Sequence, residues 1–191
     1  MIDSYEGLIG ASWALWVLYW MICAAHVKRT ARREPLWSRA SHLLPMVIAF
    51  GLLASPHDSY NGWLFARFVP VGAPPKLAGS ILVLAGLSFA IWARVHLGSN
   101  WSGRVTLKQN HELIRTGPYH WVRHPIYTGL LLAIFGTALV VGEWRGLVAT
   151  ALMVVSFWRK LRLEEALMCE TFGEEYRRYR EHTAALIPFV I

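Results

Sequence analysis

Two clusters of polar and aromatic residues follow one another in the second half of the chain, and a third lies closer to its end. Asn100 to Tyr119 reads NWSGRVTLKQNHELIRTGPY, Arg123 to Gly129 reads RHPIYTG, and the pair Glu164-Glu165 follows Arg159, Lys160 and Arg162. His124 precedes Pro125, and proline disfavours helix at the residue before it while suiting the first helical turn. A helix therefore begins near Pro125, with His124 just outside and Tyr127 in its first turns. Its unpaired N–H groups suit a carboxylate or another anion. A plainer reading stands beside this one, in which Arg and Tyr anchor a membrane span at the interface. That reading leaves two His and two Pro unexplained. Glu164 and Glu165 read either as solvated helix surface or as groups facing a cavity near a membrane face.

Other chemistries find less support. His120 and His124 are four apart, a spacing that could ligate a metal on a helix. Pro125 argues against a helix through both, and His26, His42, His57, His96, His111 and His182 are scattered, so no metal site is expected. Cys23 and Cys169 form no metal or disulfide framework. There is no G-x-G-x-x-G and no P-loop pattern, which leaves a conventional nucleotide fold unsupported. Asn100-Trp101-Ser102 fits a glycosylation sequon but falls on the expected cytosolic side.

The elements that must position these residues are apolar. Of 191 residues 55% are hydrophobic and only 16% charged, against about 25% charged in soluble proteins. Uncharged runs extend over Gly7–Val27, Ala40–His57 (with Pro45 near one end), Leu77–Ala93, His124–Gly142 and Gly146–Trp158. A Pro-rich turn region, Pro70 to Pro75, precedes the third. The pattern predicts an all-α integral membrane protein with about five transmembrane helices. The fifth run has thirteen residues, only about 20 Å of helix. It is expected to continue past Arg159 and to form a helical hairpin with the fourth, a re-entrant hairpin being the alternative. Ten Trp suggest belts at the membrane interfaces.

The formal net charge of +7 sits beside the apolar runs, as topology signals and anionic headgroups require, so nucleic acid is not an expected partner. Basic residues follow the first run (Lys28, Arg29, Arg32, Arg33, Arg39), the third (Arg104, Lys108, Arg115, Arg123) and the fifth (Arg159, Lys160, Arg162). The N-terminus is therefore expected outside and the C-terminus in the cytosol. The acidic MIDSYEG start does not read as a signal peptide. The tail from Arg159 to His182 is rich in helix formers, with Lys160–Glu164 and Arg162–Glu165 as helix-face pairs and Gly173 as a break. One membrane domain, 1–191, is expected, with three N-terminal spans over 7–97.

The polar residues resemble a known family pattern. HELIRTGPY, then RHPIYTG, then EEALMCETFGEEYRRY and a late LIPF are similar, in order, to the C-terminal half of isoprenylcysteine carboxyl methyltransferases and the related phospholipid methyltransferases. The resemblance covers roughly residues 94 to 190. The first two spans match in hydropathy alone.

The resemblance implies an integral-membrane methyltransferase using S-adenosyl-L-methionine, whose cofactor-binding half is 98–191. It implies cofactor contacts at His111, Glu112, Leu113, Ile114, Tyr119, His124, Pro125, Ile126, Tyr127 and Glu164. The family's substrate-orienting Arg lies four residues before that Glu. Here the position holds Lys160, with Arg159 beside it, and these two are the residues expected to orient the acceptor. Lys is a point charge and not a planar fork, so bidentate carboxylate binding does not carry over directly. Tyr119 and Tyr127 would face the sulfonium, Glu164 would meet the cofactor's ammonium, and N–H groups near Pro125 its carboxylate. The acceptor is expected to be lipid-like or prenylated, entering from the bilayer, and to be methylated at a carboxyl oxygen. Two other readings remain: an NADPH-dependent membrane reductase of the sterol-reductase type, and a non-catalytic membrane protein of the same fold.

Overall fold

Each apolar run forms a helix. The computed structural model describes residues 4–24, 36–56, 62–98, 101 and 112–188. Six α-helices occur among them: α1 Ser4–Ala24, α2 Leu36–Ala54, α3 Ala73–Leu97, α4 Pro125–Val141, α5 Trp144–Phe172 and α6 Glu174–His182. Two 3-10 turns, Trp63–Phe65 and Gly117–His120, precede α3 and α4. The basic cluster after α1 and the stretch from Ser102 to His111 lie outside the described residues.

Among the described residues, three segments are long and apolar enough to cross a membrane: Ser4–Cys23, Trp37–Ala54 and Ala73–Leu97. α4 is apolar but has only 17 residues. α3 is longer than the sequence suggested, because Pro74 and Pro75 of the expected turn region belong to its first turn. Proline fits there, since first-turn N–H groups have no partner inside the helix. Pro45 lies in the middle of α2, not near one end.

α3 and α4 make the closest helix pair, and glycine is the reason. A Cβ on Gly79 would come within 2.5 Å of the Gly136 carbonyl oxygen, and one on Gly129 would come equally near that of Gly86. Only hydrogen allows this approach, and without a hydrophobic force between helices in lipid such close packing supplies the attraction. α1 joins through the Trp13 indole N–H, which donates to Thr137 Oγ1 at 3.1 Å. α2 joins through the Ser156 hydroxyl, which donates to the His42 carbonyl at 2.6 Å.

α4 ends at Gly142, left-handed at φ 70°. Two residues later α5 starts back, with Gly146 against Ala138 at the turn and Tyr127 on Phe157 at the other end. α5 continues past Arg159 to Phe172, 29 residues in all, about 43 Å of helix. Gly173, at φ 53°, breaks it before α6. Beyond α6 the chain doubles back. Arg123 N–H donates to the Ala184 carbonyl at 2.8 Å and His124 N–H to that of Ala185 at 3.0 Å. Thr128 Oγ1 donates to the Leu186 carbonyl at 2.7 Å. The C-terminal strap thus lies across the start of α4.

Candidate active site

Pro125 is the first residue of α4 and His124 its N-cap, with a non-helical backbone. That aims the His124 ring towards α5, whose polar half begins at Arg159. His124 Nδ1 lies 3.7 Å from Glu164 Oε2, and His124 Nε2 lies 3.3 Å from Glu165 Oε1. One turn on, the Tyr127 hydroxyl donates to Glu164 Oε1 at 2.7 Å. The rings of His124 and Tyr127 stack at 5.5 Å, and Tyr127 stacks on Phe157 at 4.7 Å. Lys160, one helical turn before Glu164, places Nζ 3.9 Å from Glu164 Oε1 and 5.3 Å from the centre of the Tyr127 ring.

The two neighbouring glutamates have different surroundings. Arg123 Nε donates to Glu165 Oε1 at 2.7 Å, and both side chains are below 10% exposed. The rest of the guanidinium donates to the Arg180 carbonyl at 3.1 Å and to that of Thr183, which fastens the end of α6. Burial works to raise the Glu165 carboxyl, yet hydrogen bonds and charge from His124 and Arg123 outweigh it and hold it at about 2. Glu164 keeps 21% exposure and faces a cavity of about 440 Å³. Neither glutamate is ordinary solvated helix surface. The expected Arg162–Glu165 pair gives way to the bond from Arg123, because the Glu165 side of α5 packs towards α4.

Glu112, Leu113, Ile114, Tyr119, His124, Pro125, Ile126, Tyr127, Lys160 and Glu164 all line this cavity. His111 lies outside the described residues. Arg159 is exposed and does not line it; its Nε donates to the Ser41 hydroxyl of α2. His120 is exposed on the turn before α4. Burial pushes the phenols of Tyr119, Tyr176 and Tyr179 upward. The Tyr179 hydroxyl donates to the Tyr119 carbonyl, which ties α6 to the turn before α4.

The first half of the chain also contributes to the cavity, through Trp13, Trp16 and Trp20 of α1 and His42, Met46 and Phe50 of α2. Trp16 stacks on Trp20 at 4.4 Å, and Trp20 meets Trp101 edge-on at 5.7 Å. These tryptophans form a cavity wall and not an interfacial belt. Their spacing of three and four, on one face of α1, was the signal available in the sequence. Arg123 was hidden for another reason: an arginine at the mouth of a span reads equally well as a topology signal.

The site therefore combines an anion and a cation at one end of an apolar cavity, with aromatic walls and an uncapped helix N-terminus. The cavity lies between apolar helices, and its volume of about 440 Å³ falls in the range of small-molecule pockets. The comparisons with known proteins narrow the class. A model of the isoprenylcysteine carboxyl methyltransferase (ICMT) family matches residues 79–170. A probable protein-S-isoprenylcysteine O-methyltransferase of Oryza sativa subsp. indica is 31% identical over 179 residues, covering 90% of this chain and 88% of the relative. The chain belongs to the isoprenylcysteine carboxyl methyltransferase family.

The Schizosaccharomyces pombe protein-S-isoprenylcysteine O-methyltransferase is 33% identical over 104 residues, 51% of this chain and 43% of that protein. For the Saccharomyces cerevisiae enzyme the identity is 32%, over 59% of this chain and 48% of that one. This chain thus spans under half the length of those two relatives. In fold it is similar to the eukaryotic intramembrane Ras methyltransferase ICMT, with a TM-score of 0.52 and 23% identity over 90% of this chain and 53% of that one. The relatives are methyltransferases by name, and the expectation of a reductase gains nothing from them. Helices and family together make the chain a multi-pass integral membrane protein.

Proposed function

We propose that this chain is an S-adenosyl-L-methionine-dependent methyltransferase that modifies a carboxylate on a lipid-like or isoprenylcysteine-type acceptor. One observation carries the reading: Glu164 and Lys160, a carboxylate and an ammonium 3.9 Å apart, face one cavity that is otherwise aromatic and apolar. The donor set fits the cofactor. Glu164 offers the anion that an amino group needs, first-turn N–H groups of α4 suit a carboxylate, and Leu113, Ile114 and Ile126 offer apolar surface to a purine. When bound, the cofactor supplies a methyl group on a sulfonium centre. The cavity's aromatic faces favour a cation over water.

The acceptor side follows from charge. An ionised carboxylate needs no base to remove a proton, so this chain's residues orient the acceptor and exclude water. Lys160 is the cation placed to hold the acceptor's carboxylate, and its ion pair with Glu164 and its place over the Tyr127 ring fix where that charge sits. Arg159, bound to Ser41 on the outer face, supports the first turns of α2 in this reading. Residues 98–191 form the cofactor half; of the three N-terminal spans, 7–97, the first two supply the acceptor's wall, and α3 reaches the cavity only at Leu97. The chain crosses the membrane five times, with α4 and α5 as the last two spans. The cavity opens to the cytosol, at the inner membrane if the source is bacterial.

Transfer of radiolabelled methyl from S-adenosylmethionine to a farnesylcysteine derivative or a native lipid extract tests the activity. Label in a base-labile methyl ester is the expected outcome. Oxidation of NADPH without methyl transfer would overturn the reading. For orientation, single cysteines replacing Val71 and Arg178, with Cys23 and Cys169 changed to Ser, are probed from each side. Labelling of position 71 from the cytosol would invert the topology.

A further inference from the structure

A second cavity, of about 980 Å³, lies towards the opposite end of the bundle, along α1 from Glu6 to Met21 and against the last turns of α2 and α4. Its lining is chiefly apolar, as at Ile9, Val17, Leu53 and Val140. Trp13 and Phe50 line both cavities and so stand between them. Their rings meet edge-to-face at 6.0 Å and 89°. The Trp13 ring is not free to swing. Its N–H donates to Thr137 Oγ1, whose hydroxyl donates in turn to the Ala133 carbonyl at 2.9 Å. At this depth no water is at hand to replace that bond.

The first cavity is polar at one end, at Lys160 and Glu164, and apolar towards the other, where Met46, Ile134 and Met153 lead to Trp13. An amphipathic acceptor held by its charge at Lys160 must lay its tail along this path. We propose that Trp13, clamped by Thr137, is the floor of the acceptor's hydrocarbon pocket and sets the longest tail that fits. The second cavity is the space a longer tail enters once the floor is removed. The inference rests on the acceptor site proposed above and adds its specificity-determining residue.

The test uses N-acetyl-S-alkylcysteines of graded chain length with the purified full chain in detergent, reading both Kd by calorimetry and methyl-transfer kcat/KM. The native protein should show an optimum followed by a fall for longer chains. Trp13→Ala should raise the long-to-short ratio by ~tenfold or more, the size by which an apolar wall discriminates by methylene count. Thr137→Val, which frees the indole and keeps the ring, should move the ratio in the same direction by less, and serves if Trp13→Ala does not fold. Unchanged length profiles would mean that the tail leaves sideways into the bilayer, and would overturn the floor. Failure of the native protein to bind any chain would overturn it too. A length cut-off in Kd that moves with Trp13→Ala, without methyl transfer, would uphold the floor and sink the methyltransferase reading.

Discussion

Two buried ion pairs stand at opposite ends of this bundle, and they differ in what surrounds them. At the far end, Arg145 Nε donates to Glu143 Oε2 at 2.6 Å, with both side chains at or below 5% exposure. The same guanidinium donates to the Leu52 carbonyl at 2.9 Å and to that of Ser55, and it lies over the Phe65 ring at 5.2 Å. It closes the α4–α5 turn onto the end of α2. At the cavity end, Arg123 and Glu165 form an equally tight pair, but one residue away Glu164 makes a 3.9 Å contact with Lys160 and a 3.7 Å contact with His124. Short, fully enclosed bonds to a guanidinium mark a staple. At Glu164 the one short bond is the 2.7 Å hydrogen bond from Tyr127, and the longer contacts with Lys160 and His124 leave this partly exposed carboxylate capacity for a cationic ligand.

The sharpest way to break that comparison is to strand each arginine in turn. Glu143→Ala and Glu165→Ala should each lower stability by about 3–5 kcal/mol, because an uncompensated buried guanidinium remains. Thermal unfolding in detergent reads this directly. The two should then part. The folded fraction of Glu143→Ala should bind cofactor normally, while Glu165→Ala should also lose cofactor affinity, since His124 and the α4 start are no longer held. Native stability in Glu165→Ala would demote that pair to surface.

The next effect is on turnover. Lys160→Met should cut methyl transfer by roughly tenfold to a hundredfold by removing the counter-charge in a poorly screened site. Lys160→Arg should be tolerated, since the planar fork suits a carboxylate. Arg159→Met should change specific activity little, because its guanidinium points to Ser41 outside the cavity. Equal losses at both positions would place Arg159 in the site after all.

A smaller effect is expected at Glu164. Its alanine variant should weaken S-adenosylmethionine binding at least ~tenfold, or about 1.4 kcal/mol, with a near-native melting profile. Calorimetry showing unchanged affinity in the folded variant would remove Glu164 from the cofactor site.

How much of this was legible in the sequence depended on range. The His-Pro step fixed the start of α4, because proline acts on its immediate neighbour. The continuation of α5 past Arg159 followed from a run too short to end there. Nine of the ten cofactor residues named from the motif surround one cavity, the tenth being the undescribed His111. What stayed hidden depends on contacts between distant segments. Trp13, Trp16 and Trp20 read as part of interfacial belts until α2 and Trp101 are placed beside them. The separate fates of Glu164 and Glu165 were also out of reach, since adjacent carboxylates point in different directions only once α4 packs on α5. The seven-residue spacing of Gly79 and Gly86, matched by Gly129 and Gly136, was visible but carried no partner.

The smallest effect should appear in acid. The Glu165 carboxyl is held at about 2 in the folded chain, against an ordinary value of 4.5. A carboxyl depressed on folding adds stability that is fully present above its unfolded value and is lost as pH falls through the folded one. Its contribution should therefore be constant from neutral pH down to about 5 and fade between about 4.5 and 2. Other carboxylates titrate over the same range, so the absolute melting temperature does not isolate it. The difference between the native protein and Glu165→Gln does, because the amide carries no charge at any pH. That difference should favour the native protein at pH 7 and shrink towards zero near pH 2. The matching difference for Glu164→Gln should be small throughout, as suits a carboxylate that is kept for a ligand and not for the fold. A Glu165 difference that stayed flat to the bottom of the range would mean the pair contributes through shape alone, and the contrast between the two glutamates would lose its electrostatic basis.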